Sequence, residues 1–311
     1  MDNDSYTLLD HLLQGENTKV LIVTDWEPDD MMAIHMLFPE LIKRNIIPDI
    51  VISCWKDVGT KALFAYQYLK SITTAPINIY LGLPTKKKYN IESMVNTDSA
   101  IEFESWNILN WNQYSLIIQL APINELMTLF NEGMIFENTK LAMYASFNIR
   151  SVMKTYNHEN ILKMLNGFKQ VIYYESFLAT SPTMVENSDV LDNILKHEAI
   201  AKYIRVWNDL IYKEMEYSSS DTCKRIIKSI QDCPDQFVHA DTGLILTLIM
   251  PLNVIKESLM TGTLTFNSQT NYSTFTDLKE SNCDEQMIVV HNKLIQKELF
   301  HMHMNHMKKI F

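Results

Sequence analysis

The sequence predicts an α/β fold: a single domain built on a mostly parallel central sheet flanked by helices. Three observations carry that expectation. Short apolar runs rich in β-branched residues alternate with segments of helical spacing. The first of these runs ends in a burst of carboxylates where a helix begins. No linker, repeat or low-complexity tract divides the 311 residues, 47% of them hydrophobic, so the apolar content can serve one large core, although the length alone would also fit two smaller domains.

The elements follow in order. Residues 1 to 18 read as a short amphipathic helix (Leu8, Leu9, Leu12, Leu13) and a polar loop. Val20 to Thr24 reads as a buried strand, Asp30 to Lys43 as a helix, and Asp49 to Ser53, after Pro48, as a second strand. Thr60 to Leu69 has helical spacing, and Ile77 to Leu81 is a third strand. Residues 84 to 112 are polar and irregular. Leu116 to Leu120 is a strand, and Glu125 to Phe130 begins a helix. Leu141 to Ala145, Val171 to Tyr174 and Phe237 to His239 are candidates for further strands. Uninterrupted apolar strands of this kind belong to parallel sheets covered on both faces. Ligands of such sheets bind beyond the carboxyl ends of the strands. That places Asp25 to Asp30, Ser53 to Lys56, Leu120 to Asn124 and Tyr144 to Asn148 along one rim.

Composition excludes several functions. The formal net charge is −10, and Lys86-Lys87-Lys88 is too short a run to be a basic footprint, so neither a nucleic acid nor an acidic membrane is an expected partner. Cys54, Cys223, Cys233 and Cys283 form no Cys-x-x-Cys pair and no zinc or disulfide spacing. A reducing, cytoplasmic setting is expected, with no signal peptide at Met1-Asp2-Asn3-Asp4 and no apolar run near the roughly 18 residues of a membrane span. Seven glycines and no glycine-rich loop weigh against a dinucleotide or P-loop site.

The chemistry concentrates in Asp25, Glu27, Asp29 and Asp30. Carboxylates crowded where a strand meets a helix repel one another. A hard divalent cation with oxygen ligands is one compensation. A plain acidic turn, in which Asp29 or Asp30 caps the helix, is the other reading.

The stretch Val23-Thr24-Asp25-Trp26-Glu27-Pro28-Asp29-Asp30 resembles the Asp-Thr-Asp-Pro-Gly-x-Asp-Asp signature of the inosine–uridine nucleoside hydrolase family, with Val23 at its first aspartate and Trp26-Glu27 at its Pro-Gly. Weaker landmarks follow in the family's order. They are Pro76 to Gly82, Leu120-Ala121-Pro122-Ile123-Asn124-Glu125-Leu126, Met143-Tyr144-Ala145-Ser146, and Val238-His239-Ala240-Asp241 before the apolar Leu244 to Met250. The resemblance spans roughly residues 19 to 300. The departures are Cys54-Trp55 for the family's Gly-Asn, one residue between His239 and Asp241, and Glu186-Asn187 where the family has Glu-x-Asn. Lys56 or Asp57 stands where a ribose-contacting asparagine would be.

The resemblance implies hydrolysis of the N-glycosidic bond of a nucleoside or related ribosylated small molecule, with a calcium-bound water as nucleophile. It implies a Ca2+ site of Asp25, Asp30, Asp241 and the Asn124 carbonyl, with Asp25 as general base and Asp29 on a ribose hydroxyl. Asp241 is also placed to cap the helix that follows it. His239 is the candidate acid for the leaving base, although a lone histidine beside an apolar helix is also a common structural residue. Asn148, Glu175, Glu186 and Asn187 are candidates for the ribose pocket. Tyr144, Tyr203 and Trp207 either stack on a base or pack. A homodimer or homotetramer is what the family implies. A catalytically impaired nucleoside-binding protein that keeps the fold is the alternative. A phosphoesterase using the same rim is less favoured, for want of histidine ligands near Asp25. The His301, His303 and His306 tail, interleaved with Met302, Met304 and Met307, reads as a terminal helix before it reads as a soft-metal site.

Overall fold

The computed structural model describes residues 6–15, 18–53, 57–84, 91, 94–96, 101–144, 155–174, 198–215, 240–266 and 273–290. The chain opens with α1 (Leu8–Leu12) and continues through β1 (Val20–Thr24), α2 (Pro28–Lys43), β2 (Asp49–Ile52), α3 (Val58–Ile72) and β3 (Asn78–Leu81). Next come β4 (Glu104–Ser105), β5 (Leu116–Gln119), α4 (Asn124–Asn131), β6 (Lys140–Tyr144), α5 (His158–Asn166) and β7 (Gln170–Tyr174). The remaining elements are α6 (Glu198–Met215), α7 (Ala240–Ile249), β8 (Leu259–Phe266), β9 (Ser273–Glu280) and β10 (Met287–Val290).

Among the described residues the strands form one 10-stranded sheet in the order β4-β3-β2-β1-β5-β6-β7-β10-β8-β9. Pairing is parallel from β4 through β10. Of these strands only β8 runs against the rest, pairing antiparallel with β10 on one side and with β9, its hairpin partner, on the other. This is the expected α/β fold on a mostly parallel sheet. The three last strands were not expected, and Phe237 to His239 lies outside the described residues.

Why the central strands form is plain from their burial. Every residue of β1, β5 and β7 is buried, as befits strands covered on both faces. Successive residues of β1 feed different cores. Ile22 joins the layer of α1, α2, α3, α6 and α7, through Leu8, Met31, Phe64, Tyr203 and Leu244. Leu21 and Val23 join the layer of α4 and α5, through Leu126, Ile161 and Trp111.

The helix after β1 starts two residues earlier than Asp30. Pro28 takes its first position, where a missing N–H costs nothing, and Asp29 and Asp30 lie in the first turn, where negative charge is favoured. Chain order places β2 on one side of β1 and β5 on the other. The carboxyl end of β1 is therefore a switch point of the sheet, where the two crossovers diverge and leave a crevice. Asp25 is the first residue past that end.

Candidate active site

Thr24, the last residue of β1, ties the acidic turn together. Its hydroxyl donates to Asp30 Oδ1, and its oxygen accepts the Trp26 N–H at 2.9 Å. The Glu27 N–H donates to Asp30 Oδ2 at 3.1 Å. Asp30 thus sits in the first turn of α2 and reaches back to the strand end. Asp241 enters from the first turn of α7, which packs along α2. Carboxylate oxygens of Asp29, Asp30 and Asp241 lie within 4.8 Å of one another. Asp30 and Asp241 are buried; Asp25 and Asp29 are half-buried.

The electrostatics follow from crowding. Burial, and then the neighbouring Asp29, push the Asp30 carboxyl up to about 7, although the Thr24 hydrogen bond pulls it down. Asp25 is raised well above its ordinary value by burial, by the charge of Asp30 and by a hydrogen bond shared with Asp30. Asp241 is raised by burial and by Asp30, Asp29, Asp25 and Glu27. Three carboxyls at one strand end are thus all held against ionisation by their surroundings.

This donor set fits a hard divalent cation. Oxygens bound at about 2.4 Å to a common ion stand no more than about 5 Å apart. One observation points to a further partner: Asp241 Oδ1 is buried and accepts no hydrogen bond among the described residues. An orphaned carboxylate oxygen costs about 1–3 kcal/mol, and an ion at the cluster would remove that cost.

Asn124 is the first residue of α4, directly after β5, whose end is stitched to β1 by the Leu120 and Ala121 N–H groups on the Val23 carbonyl at 2.8 and 3.2 Å. Its carbonyl accepts the Thr128 hydroxyl, one turn further along α4, at 2.9 Å. His239, Asn148, Glu186, Asn187 and Glu175 lie outside the described residues. So do Cys54, Trp55 and Lys56 and the histidine–methionine tail. Tyr144 closes the end of β6, its ring 6.4 Å from that of Tyr174 at the end of β7.

Sequence reasoning missed three groups around this site. Lys61 is buried on α3, with Nζ 2.9 Å from the Trp26 carbonyl and 3.4 Å from that of Asp25, and it donates to the Tyr203 hydroxyl. Its Nζ lies 5.1 Å from the ring centre of Tyr203 and 5.3 Å from that of Trp207. Burial pulls the ammonium down to about 7, against the opposite pull of Glu27, Asp25, Asp30 and Asp29. The signal was in the spacing: Lys61 shares a helix face with the buried Phe64, Ala65 and Tyr68. Gly243 is the second. A Cβ there would collide with the Tyr174 hydroxyl and stand 2.7 Å from its Cζ, so glycine leaves room for the Tyr174 ring, from the end of β7, against the first turn of α7 that carries Asp241.

Glu125 is the third. It is wholly buried on α4, and one oxygen accepts the Ser53 hydroxyl and the Leu83 N–H, the latter at 2.7 Å. Burial raises its carboxyl. It clamps the ends of β2 and β3 to α4 beside the crevice.

No protein-family model and no curated protein matches the sequence. Among solved structures the chain is similar to an inosine-guanosine nucleoside hydrolase, at 12% identity and a TM-score of 0.55, with 94% of this chain and 99% of that chain covered. It is similar also to the type III effector protein XopQ, solved in complex with adenosine diphosphate ribose, at 8% identity and a TM-score of 0.52, with 97% of this chain and 98% of that one covered. At such identities the likeness is one of fold. The fold is nucleoside hydrolase-like. Among the described residues no helix is long and apolar enough to cross a membrane.

Proposed function

We propose that the protein hydrolyses the N-glycosidic bond of a nucleoside or related ribosylated small molecule, with a calcium ion at the acidic cluster. The observation that carries this reading is the convergence of Asp29, Asp30 and Asp241 within 4.8 Å at the switch point of a nucleoside hydrolase-like sheet. Asp30 and Asp241 of that cluster would hold the ion, together with Asp25 and the Asn124 carbonyl, the two further ligands that the sequence resemblance implies. When bound, it supplies a more acidic water and a point of attachment for sugar hydroxyls.

The chain's own groups then have distinct tasks. Asp25, half-buried just past the end of β1, takes a proton from the attacking water once the bound ion holds it as a carboxylate. Asp29, half-buried in the first turn of α2, accepts a hydrogen bond from a ribose hydroxyl and fixes the sugar. The crowded carboxylates tolerate the positive charge that builds on the ribosyl ring as the bond to the base breaks. His239 and the pocket candidates Asn148, Glu186 and Asn187 are proposed from the sequence for leaving-group protonation and ribose contact.

The test is release of free base and reducing sugar from a panel of purine and pyrimidine ribonucleosides, with ADP-ribose included. Release from a member of the panel supports the reading. Binding of panel members without release from any of them supports instead a nucleoside-binding protein that keeps the fold.

A further inference from the structure

Trp26 has a φ of 51°, in the left-handed region. A bulky residue is rarely found there, and its surroundings must over-determine the conformation. The surroundings here are specific. The Trp26 N–H is held by Thr24, and its buried ring packs edge-on to Phe64 and Tyr68, with ring centres 6.4 and 6.1 Å away. Its carbonyl accepts two donors, the Lys61 ammonium and the Tyr203 hydroxyl. Because that hydroxyl spends its proton on Trp26, its oxygen is the acceptor toward Lys61. Lys61 thus faces three acceptors: the carbonyls of Asp25 and Trp26 and the Tyr203 oxygen. Three N–H donors match an ammonium, since a neutral amine has two. The rings of Tyr203 and Trp207 close over the same charge.

Nothing so far requires a lysine here for packing alone. A methionine would fill the stem. What the ammonium adds is a positive charge bonded to the backbone of the acidic turn itself. It braces that turn through the Asp25 and Trp26 carbonyls.

We infer that Lys61 is a resident counter-cation and positioning residue of the acidic site. With Tyr203 it holds the left-handed Trp26 turn from behind, so that Asp25 and Asp30 stand assembled, with part of their charge offset, before any divalent ion or sugar arrives. The inference takes from the proposed function only what the assembled carboxylates are for.

The test is a double-mutant cycle on the full chain in EDTA, read by melting temperature. Lys61→Met keeps the stem and removes the charge, and it should lower Tm by about 5 °C. Adding Asp29→Asn, which removes one of the charges that Lys61 offsets, should recover at least half of that loss, although Asp29→Asn alone changes Tm little. Calcium should raise the Tm of Lys61→Met more than that of the unmodified chain, because the ion then does work that the ammonium had done. Should Lys61→Met fail to fold, a folded Lys61→Met/Asp29→Asn chain supports the inference, and an unfolded one overturns it. Equal melting of Lys61→Met and the unmodified chain in EDTA, or strictly additive effects of the two substitutions, overturns it as well. Coupling in EDTA without any calcium response would leave the inference standing and remove the calcium ion from the proposed function.

Discussion

The Thr24 hydroxyl donates to Asp30 Oδ1 across six residues, from the last position of β1 to the first turn of α2. The same oxygen accepts the Trp26 N–H, so strand end, turn and helix start form one hydrogen-bonded knot. The direction of Asp30 is therefore set by the backbone and does not wait for an ion. Asp241, brought by α7 against α2, lies beside that fixed carboxylate with one oxygen that accepts no hydrogen bond among the described residues.

Removing the charge of Asp241 should separate ion binding from folding. The Asp241→Asn chain is expected to melt in EDTA at or above the temperature of the unmodified chain, because a buried, repelled carboxylate is gone. Calcium at about 100 times its dissociation constant adds about 2.7 kcal/mol to a chain that binds it. That response should fall by more than half in Asp241→Asn. Differential scanning calorimetry with and without calcium checks both; an undiminished response would remove Asp241 from the ion's ligands.

The pH dependence of the ion-free protein has a defined sign. Asp30 is raised from 3.8 to about 7, so the folded chain keeps a proton that the unfolded chain has lost. Its contribution is complete below the unfolded value and is lost as pH rises through the window from about 4 to about 7. Asp25 and Asp241 are raised as well and act in the same direction. Asp10 works oppositely below its ordinary value: burial raises it, but the Arg44 and Thr7 hydrogen bonds bring it lower overall. Urea unfolding in EDTA should therefore show falling stability between about pH 4 and 7. Calcium binding should release protons near neutrality, seen as a dependence of calorimetric heat on buffer ionisation enthalpy. Stability that rises across that window would contradict the assignment.

The contact of Gly243 with Tyr174 makes a packing prediction. In Gly243→Ala the new Cβ would meet the Tyr174 ring, with Cζ at 2.7 Å. The cost should be about 1–3 kcal/mol, typical of overpacking. Tyr174→Phe in the same chain removes the closest atom and should return part of the loss. An unchanged denaturation midpoint would show that β7 and α7 can separate freely at this point.

Much of the fold can be read without coordinates because parallel strands buried on both faces are written as unbroken apolar runs. Val20 to Thr24 and Leu116 to Gln119 are of this kind. The terminal hairpin is not: β8 alternates buried threonine and leucine with open positions, and a bulge near Gly262 interrupts its register. The acidic turn was legible for an electrostatic reason, since carboxylates at a strand end demand compensation. Asp241 was reached only through resemblance, because one aspartate before an apolar helix is also an ordinary cap. Lys61 stayed hidden because a lysine in a helix is read as solvated until its acceptors, which come from a turn 35 residues earlier and a helix 142 residues later, are known.

In the proposed function the β1–α2 turn and Asp241 form one calcium site that supports N-glycosidic hydrolysis. The decisive assay is reducing-sugar release from ribonucleosides, titrated with calcium, with the unmodified chain, Asp25→Asn and Asp241→Asn run side by side. The predicted result is release that rises with calcium to a plateau, stops in EDTA, falls by about 10²-fold or more without the Asp25 base, and needs more calcium without Asp241. Release unaffected by EDTA, or none from any nucleoside at saturating calcium, would contradict it.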